Sequence, residues 1–547
     1  MNTEEKTPFR ERSTFIRLGR RLCQWRAMRR ILIAMAWVVT VIALFYAEED
    51  WRGHRAWNLE RRRLESRGTP VDLQSLVPKN VPDDQNFAMT PLLAPLFDFV
   101  PGTQQARETN ALAQLRNPPP RYKAASDAIR SDAQRDGDWS RGLSIDLQAW
   151  ERAFGAATHA GTGPSADTRE AAARAVLADL QEWAPALGEL RAAAQRPYSR
   201  FNIRYEEENT AGILLPHLAV LKRFVEVLCL RSSAELALGQ TAEALEDIRL
   251  ACRVTDAIKD EPILISVLVR MSEFRLILQP VWEGMASGRW SDEQLKELQG
   301  RLSEFDFLKE ASRGFEDDRA GIGNAVIKFV REAPGKRAEM IGLLDSFGEG
   351  GIGEPLSSLA LEIVPSGWFY AEQVQYNRIY DEYVMPLIDL TNRVVSPELA
   401  FNNQQEVDRL FEGGPLKLLG EHRLFARLIV PAVSASVFKA ARTQSAVDLS
   451  VTACALERFR LAHRQYPERL DQLAPTFISK IPADLITGRP LRYERRDDRF
   501  ILYSIGWNAK DDGGEYPPKS DFNSEKLRGP GPSQSETGDW VWKYSAG

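Results

Sequence analysis

The longest apolar stretch of the chain lies near its N-terminus. Residues 31–47 have the sequence ILIAMAWVVTVIALFYA and carry no charge. A helix that crosses a bilayer needs about 20 apolar residues, with a range of about 17–25. Tyr46 and Trp51 are of the type that sits at the membrane–water interface and extends such a span. The pattern therefore predicts one transmembrane helix over residues 31–47.

The arginines on either side of this segment predict its orientation. Four arginines lie within the ten residues before it, whereas two lie within the ten after it, behind three acidic residues. The positive-inside rule then keeps residues 1–30, a basic arm, in the cytoplasm. The prediction is a single-pass protein of the inner (cytoplasmic) membrane whose bulk lies in the periplasm. A cleaved signal peptide is the alternative, although its basic region would be long and Phe45 suits cleavage after Ala47 poorly.

Residues 48–100 are predicted to hold a juxtamembrane helix and a proline-rich strap. The helix is expected over Trp51–Arg67, with Gly68 as its C-terminal stop. Prolines at 78, 82, 91 and 95 prevent a long helix in the strap. Residues 117–121 include three consecutive prolines and are predicted to form a loop.

From residue 101 to 432 the dominant hydrophobic period is helical, which predicts a large helical domain. Its clearest unit spans residues 214–258, with two apolar helical stripes separated by a turn at Gly239. This unit resembles a tetratricopeptide hairpin in the order and spacing of Gly239, Glu243-Ala244, Ile248 and Ala251. No second copy follows 34 residues away, and such repeats need about three neighbours. One helical hairpin inside a larger bundle is therefore expected. A further helix is predicted after Ser291, which forms a capping box with Gln294.

Residues 433–547 change character and predict a small α+β module with a Gly/Pro-rich tail. A helix is expected over 445–463, followed by strands at 491–495 and 499–505 that form a hairpin around Asp497-Asp498. The predicted fold class is therefore mainly α, with one N-terminal transmembrane helix, a large helical bundle and this C-terminal module.

The C-terminal module resembles that of the major pseudopilins of type II secretion. The landmarks in order are Tyr466-Pro467, Leu470, Leu473, Pro482, Asp484, Tyr503-Ser504, Gly506, Asp512-Gly513-Gly514 and Asp539-Trp540. Here the matching helix lies some 400 residues inside the chain, so the resemblance implies a grafted module and not a pilin subunit. The whole layout also resembles uncharacterised membrane-anchored proteins of Gram-negative bacteria, which implies a location and no activity.

The pseudopilin resemblance implies calcium as a cofactor, because pseudopilins of this type bind calcium in their C-terminal loop. Asp511, Asp512 and Asp539 are the candidate ligands, and loop carbonyls would complete the six to eight oxygens that calcium takes. The alternative is a solvated acidic turn followed by an unstructured tail.

Net charge and cysteine spacing exclude several classes of protein. The net charge of -5 argues against general nucleic-acid binding, which usually needs a basic face. The four cysteines form no C-x-x-C pair, which excludes zinc ribbons and thioredoxin motifs. Cys229 and Cys252 lie equally far from the predicted turn at Gly239-Gln240. They are therefore either a disulfide across the hairpin or two buried small residues.

Candidate catalytic residues are few. Glu316 is a candidate general base if it faces a cleft, and otherwise a partner of Arg319 on a helix surface. Glu206 heads a carboxylate run at 206–208, either a metal or catalytic site or a solvated loop. The G-x-G-x-x-G match at 348–353 follows a helical pattern and not a strand, so a loop is expected. His217 is expected to be a core histidine. The sequence contains no zincin motif, no G-x-S-x-G and no P-loop.

These features favour a non-enzymatic, membrane-anchored binding or scaffold protein that acts outside the cytoplasm on a protein partner and not on nucleic acid. One alternative is an exported enzyme, such as a hydrolase, whose active-site residues are scattered along the chain. Another is an accessory of a secretion or pilus-like machine. A polar cleft around Glu316 or Glu206 would favour the enzyme, and a smooth groove would favour the binding protein.

Overall fold

A single continuous helix, α1 (Trp25–Ser66), joins the predicted span to the predicted juxtamembrane helix. In the computed structural model, the described residues are 25–100, 105–107, 109–157, 166–205, 212–333, 335, 337, 362–515 and 538–544. Among these, α1 is the one helix long and apolar enough to cross a membrane. Gly68 follows it with φ of +72°, as a C-terminal stop requires. The Thr69 N–H donates to the Leu64 carbonyl at 3.0 Å.

The strap after α1 contains only short 3-10 turns, as its prolines predict, and helices dominate from residue 110 onward. The helices are α2 (Asn110–Arg116), α3 (Pro120–Ala128), α4 (Asp132–Arg135), α5 (Leu147–Ala157), α6 (Arg169–Asp179), α7 (Ala184–Ala194), α8 (Pro216–Ala237), α9 (Thr241–Asp256), α10 (Leu264–Ala286), α11 (Asp292–Leu302), α12 (Phe307–Asp318), α13 (Ala325–Glu332), α14 (Ser366–Ile379), α15 (Pro397–Leu410), α16 (Pro415–Glu421) and α17 (Leu424–His463). The mainly α fold class is confirmed.

The predicted helical hairpin is the pair α8–α9, and α10 packs against both helices. Gly239 closes the turn between α8 and α9 with φ of +76°, a conformation that glycine adopts without a steric cost. The capping box at the start of α11 is confirmed, since Ser291 Oγ accepts from the Gln294 N–H at 3.2 Å and Gln294 Oε1 accepts from the Ser291 N–H at 3.0 Å. The tetratricopeptide resemblance of the hairpin stays a prediction.

The C-terminal module shares its long helix with the helical domain. The predicted helix 445–463 is the second half of α17, which begins at Leu424 and packs against α10, α11 and α12. The expected domain boundary between residues 432 and 433 therefore lies within α17. Within this part of α17, Val430, Val437 and Phe438 are buried in the hydrophobic core that the helices share.

The predicted β-hairpin is confirmed and a third strand joins it. Strands β3 (Arg492–Arg496) and β4 (Arg499–Ser504) pair antiparallel, and Asp497 takes a positive φ of +48° in the turn. Strand β5 (Trp540–Lys543) adds to β4, so that the order is β3-β4-β5. Two short strands, β1 (Ile388–Asp389) and β2 (Val394–Val395), form a separate ladder. Trp540 and Trp542 are buried and hold β5 against the rest of the module.

Helix α1 packs directly against the helical domain. It crosses α14 with Gly53 against Gly367, so closely that a Cβ on either glycine would overlap the opposite backbone. Asp50 Oδ1 accepts from the Gly367 N–H at 2.6 Å, and the Tyr46 hydroxyl donates to the Ile363 carbonyl.

Further along α1, ion pairs join the end of this helix to the segment that follows α14. Arg63 and Arg67 approach Asp381, which follows α14, at 2.7 and 3.4 Å. Arg319 reaches the other Asp381 oxygen at 2.5 Å. The anchor helix is thus fixed to the domain at both ends of its extramembrane part.

Candidate functional site

The predicted catalytic residues do not form a catalytic arrangement among the described residues. Glu316 is half-buried on α12, and Arg319 pairs with Asp381 instead of Glu316. The expected surface pair is therefore wrong. Its physical reason is that Arg319 is buried and pairs with Asp381, which lies 62 positions further along the chain and is brought to it by tertiary packing. A π-helical segment, Arg319–Asn324, begins at this residue. Glu206, with the rest of the 206–208 run, lies outside the described residues, as does the glycine-rich segment 348–353.

His217 is the expected core histidine. Its Nε2 lies 2.7 Å from Glu261 Oε1, and the ring stacks on Phe201 at 4.2 Å between centroids. Ser266 Oγ donates to the other Glu261 oxygen at 2.5 Å. Because the serine and the histidine both contact the carboxylate, the histidine does not stand between them as the base of a nucleophilic triad would. The cluster joins the start of α8 to the start of α10.

The tail does fold back to the acidic loop of the C-terminal module. Asp539 is fully buried and accepts from the Gly514 N–H at 2.7 Å and the Asp512 N–H at 3.1 Å. Burial raises the pKa of Asp539 to about 6. Asp511 accepts from the Tyr503 hydroxyl at 3.0 Å. In the described part of the chain, no three His, Cys, Asp or Glu side chains are grouped to hold a metal ion. Calcium binding at Asp511, Asp512 and Asp539 stays a prediction.

Cys229 and Cys252 are buried free thiols on α8 and α9. Of the two alternatives that the sequence leaves open, the disulfide is not formed in the structure, and the two residues are buried small side chains on the paired helices. Burial raises the pKa of the Cys252 thiol to about 12, which keeps it protonated and unreactive at neutral pH.

A groove with a volume of about 720 Å³ opens between the strap, α2, the start of α7 and α8. Its lining is mainly apolar and contains five prolines, at positions 91, 118, 119, 120 and 185, for which we call it the proline groove. Ala113, Ala186, Val220 and Phe224 complete much of the apolar surface. Clefts of about 300–1,000 Å³ with apolar walls and a few polar groups are typical ligand sites.

Trp183 is the largest side chain of the proline groove and is held in a fixed orientation. It ends a 3-10 turn, Leu180–Trp183, and α7 begins directly after it. Its ring meets the edges of Tyr122 and Phe224 at centroid distances of 5.3 and 5.8 Å. The indole is 6% exposed, and its Nε1–H has no hydrogen-bond partner among the described residues. Buried indole N–H groups usually have a partner, and this donor is an exception within the described ranges.

The charged residues of the proline groove differ in whether they form hydrogen bonds or salt bridges with the rest of the protein. Arg223 donates through Nη1 to the Leu115 and Arg116 carbonyls at 3.1 and 3.2 Å and so closes the C-terminus of α2. Glu182 and Glu189 are exposed, and neither takes part in a salt bridge within the described ranges. The groove therefore presents two unpaired carboxylates and one cation that is already bonded.

Sequence analysis found four of the five prolines of this groove, all except Pro185, but not the groove itself. Its walls come from residues 91 to 224, and no local pattern reports that such distant segments meet. Trp183 carried one usable signal, since it is a lone tryptophan between two acidic residues, Glu182 and Glu189, in an otherwise alanine-rich stretch. Comparison with models of protein families, with curated proteins and with solved structures gives no match for this chain.

Proposed function

We propose that the chain is a membrane-anchored binding protein that acts outside the cytoplasm and receives a partner in the proline groove. The observation that carries the proposal is the groove itself, with its mainly apolar walls and the exposed carboxylates of Glu182 and Glu189. An apolar cleft with a few polar groups binds by excluding water, and the polar groups orient the occupant. Glu316, on which an enzymatic alternative depends, lies on α12 and is not among the residues that line the groove.

The proposed location follows from the anchor. Residues 31–47 would span the inner membrane, and the arginine excess before them would hold residues 1–30 in the cytoplasm. The domain and its groove would then lie in the periplasm. The large side chains of this part of α1 are exposed in the structure, as a lipid-facing surface requires.

A second candidate function is an accessory role in a secretion or pilus-like machine. What supports this role is the order of elements in the C-terminal module, where the long helix α17 is followed by the antiparallel strands β3, β4 and β5. The pseudopilin resemblance implies the same order. In this version the groove partner would be a component or substrate of that machine.

Site-specific photo-crosslinking in native membranes tests the binding function. A photoreactive residue replaces Ala113, in the groove, or Lys296, which is exposed on α11 and lies outside the groove. We expect a discrete crosslinked product from position 113 and none from position 296. Ala186→Trp, which fills the groove, should remove the product. Identical products from positions 113 and 296, or a product that persists in the filled groove, would contradict the proposal.

A further inference from the structure

We infer that the helical domain makes a second contact with the membrane, through the side chain of Ile363 at the base of the domain. Its partner is the lipid headgroup layer beside α1. The inference goes beyond the proposed binding at the proline groove, and it rests on the proposed membrane span at residues 31–47. The hydrogen bonds that fix Ile363 against α1 carry it.

Two hydrogen bonds set the height of Ile363 along α1. The Tyr46 hydroxyl donates to the Ile363 carbonyl. Four positions later on both segments, Asp50 Oδ1 accepts from the Gly367 N–H at 2.6 Å, so residues 363–367 run in the same direction as α1, away from the membrane. Long side chains of a helix point back towards its N-terminus, and the Tyr46 hydroxyl therefore reaches towards the bilayer. Ile363 then lies level with the last turn of the span.

The side chain of Ile363 is exposed although it lies beside the span. It is 65% exposed, as much as Leu44 within the span, which is 64% exposed. Single exposed isoleucines are common on protein surfaces, so the height of Ile363 carries the argument and its exposure alone does not. At this height the surroundings are the interfacial layer of the bilayer instead of bulk water. Transfer of the apolar side chain into that layer is favourable.

Polar neighbours place the contact in the headgroup layer and not in the hydrocarbon core. The Glu362 carboxylate accepts from the Gly335 N–H at 3.1 Å, and Arg337 donates to the Glu362 carbonyl at 3.3 Å. Charged side chains are costly inside hydrocarbon, and those near the ends of a span reach to the interface. Ile363 therefore enters the headgroup layer from a base of charged residues that stays within that layer.

Trp51 marks the same boundary on the other side of α1. It is two positions from Gly53, which faces α14, and so lies about 200° around the helix from it. The Trp51 side chain is 61% exposed, and the Arg55 guanidinium lies 5.4 Å from the centre of its ring. Tryptophan is enriched at membrane–water interfaces. Trp51 and Ile363 therefore meet the interface on opposite sides of α1, which restrains the tilt of the domain.

A protein partner at Ile363 is the competing explanation, and it fits less well. A stable protein interface buries about 1,200–2,000 Å², far more than one isoleucine provides. A second membrane contact needs little area, because α1 already holds the domain beside the lipid and makes the contact intramolecular in effect.

Fluorescence quenching on the full chain in phosphatidylcholine vesicles tests the inference. Cys23 is replaced by serine and the other three cysteines are buried, so an introduced cysteine takes an environment-sensitive fluorophore. Single cysteines replace Ile363, Leu44 or Ile265, which is 51% exposed. Half of the vesicles contain phospholipid with a nitroxide quencher near the top of its acyl chain. Circular dichroism confirms that each labelled variant is folded.

Ile265 is the matched control because it lies with the far end of α1. The N–H of the preceding residue donates to Asp318 at 3.0 Å, next to Arg319. Arg319 pairs with Asp381, which Arg63 also contacts. Arg63 lies roughly 24 Å beyond the end of the span at 1.5 Å per residue. A label at position 265 should therefore be out of reach of the quencher.

We expect the nitroxide lipid to reduce the fluorescence of labels at positions 44 and 363 and to leave the label at position 265 nearly unchanged. Quenching at 44 without quenching at 363, or equal quenching at 363 and 265, would overturn the inference and leave the anchor standing. If the label at 44 is not quenched either, the proposed span fails together with the inference. Crosslinking at position 113 tests the proline groove separately.

A second measurement needs no substitution near Ile363. A phosphatidylcholine with a photoreactive headgroup is added to vesicles that hold the native chain, and mass spectrometry of the digested protein locates the crosslinks. We expect crosslinks to residues 362–366 as well as to α1. Crosslinks confined to α1 would contradict the membrane contact of the domain.

Discussion

The crossing of α1 and α14 makes a sharp prediction for Gly53→Ala. A Cβ at this position would lie well inside 3.0 Å from the Gly367 carbonyl oxygen, a separation that real Cβ atoms essentially never show. The atom that it meets belongs to the backbone and cannot rotate away. A carbon–oxygen contact of about 3.3–3.6 Å would require the two helices to separate by roughly 1 Å.

The magnitude follows from two opposing effects. Overpacking of a close contact costs about 1–3 kcal/mol. Alanine in a helix interior recovers about 0.5–1 kcal/mol relative to glycine. The separation also stretches the bond from the Gly367 N–H to Asp50, whose loss costs about 0.5–1.5 kcal/mol. We therefore expect Gly53→Ala to lower the free energy of unfolding by about 0.5–4 kcal/mol.

Urea unfolding of the full chain in detergent measures this effect, with Gly300→Ala as the matched control. Gly300 is also helical, on α11, but a Cβ there would meet nothing within 4 Å. The control should therefore be neutral or slightly stabilising. Equal stabilisation by both substitutions would show that α1 and α14 do not touch at Gly53 and would refute the reasoning.

The remaining predictions concern charge, pH, topology and calcium. Asp381→Asn leaves the buried Arg319 without its anionic partner and should destabilise the protein by about 3–5 kcal/mol in the same unfolding assay. Burial raises the pKa of Glu372 from 4.5 to about 8, so the folded state holds the proton more tightly, and stability should fall as pH rises from about 4.5 to 8. Glu372→Gln should reduce that fall, which unfolding midpoints at pH 5 and 8.5 would detect. A reporter that is active only outside the cytoplasm should be active when fused after residue 100, and carbonate should not extract the protein from membranes. A soluble fragment that begins near residue 44 or 48 would instead indicate a cleaved signal peptide. Calcium should raise the melting temperature of the full chain if Asp511, Asp512 and Asp539 bind it, and Asp511→Asn should remove the shift. The absence of a shift in the native chain would leave the loop with a structural role only.

The features that sequence predicted correctly are those with local causes. The apolar span, the turn at Gly239, the capping box at Ser291 and the hairpin around Asp497 each depend on residues within a few positions of one another. The extension of α17 across residue 432 was missed because a run that is apolar on every side gives no period from which to infer its surroundings. The proline groove was missed for another reason, since its walls are brought together by tertiary packing.

Arg319 shows a third reason why sequence analysis failed to predict a contact. Its spacing from Glu316 fits a surface pair on a regular helix, and the regular period is what sequence analysis assumes. A π-helical segment begins at Arg319 and changes the direction of every following side chain. The partner that Arg319 takes instead, Asp381, lies 62 positions further along the chain, so no local pattern predicts the pair.

The continuity of α1 would restrict where the domain can meet the partner that we propose. With residues 31–47 in a bilayer, the rest of α1 extends roughly 28 Å from the membrane surface at 1.5 Å per residue. A flexible linker would let the domain move freely around its membrane attachment. A helix fixed to the domain at Gly53 and Asp381 instead sets one height and one tilt of the domain relative to the membrane. Partners held in the same membrane then meet the groove at a high effective concentration if their binding segment reaches that height, and hardly at all if it does not. In the proposed function, the length of α1 would thus select partners by reach before any side chain contacts them.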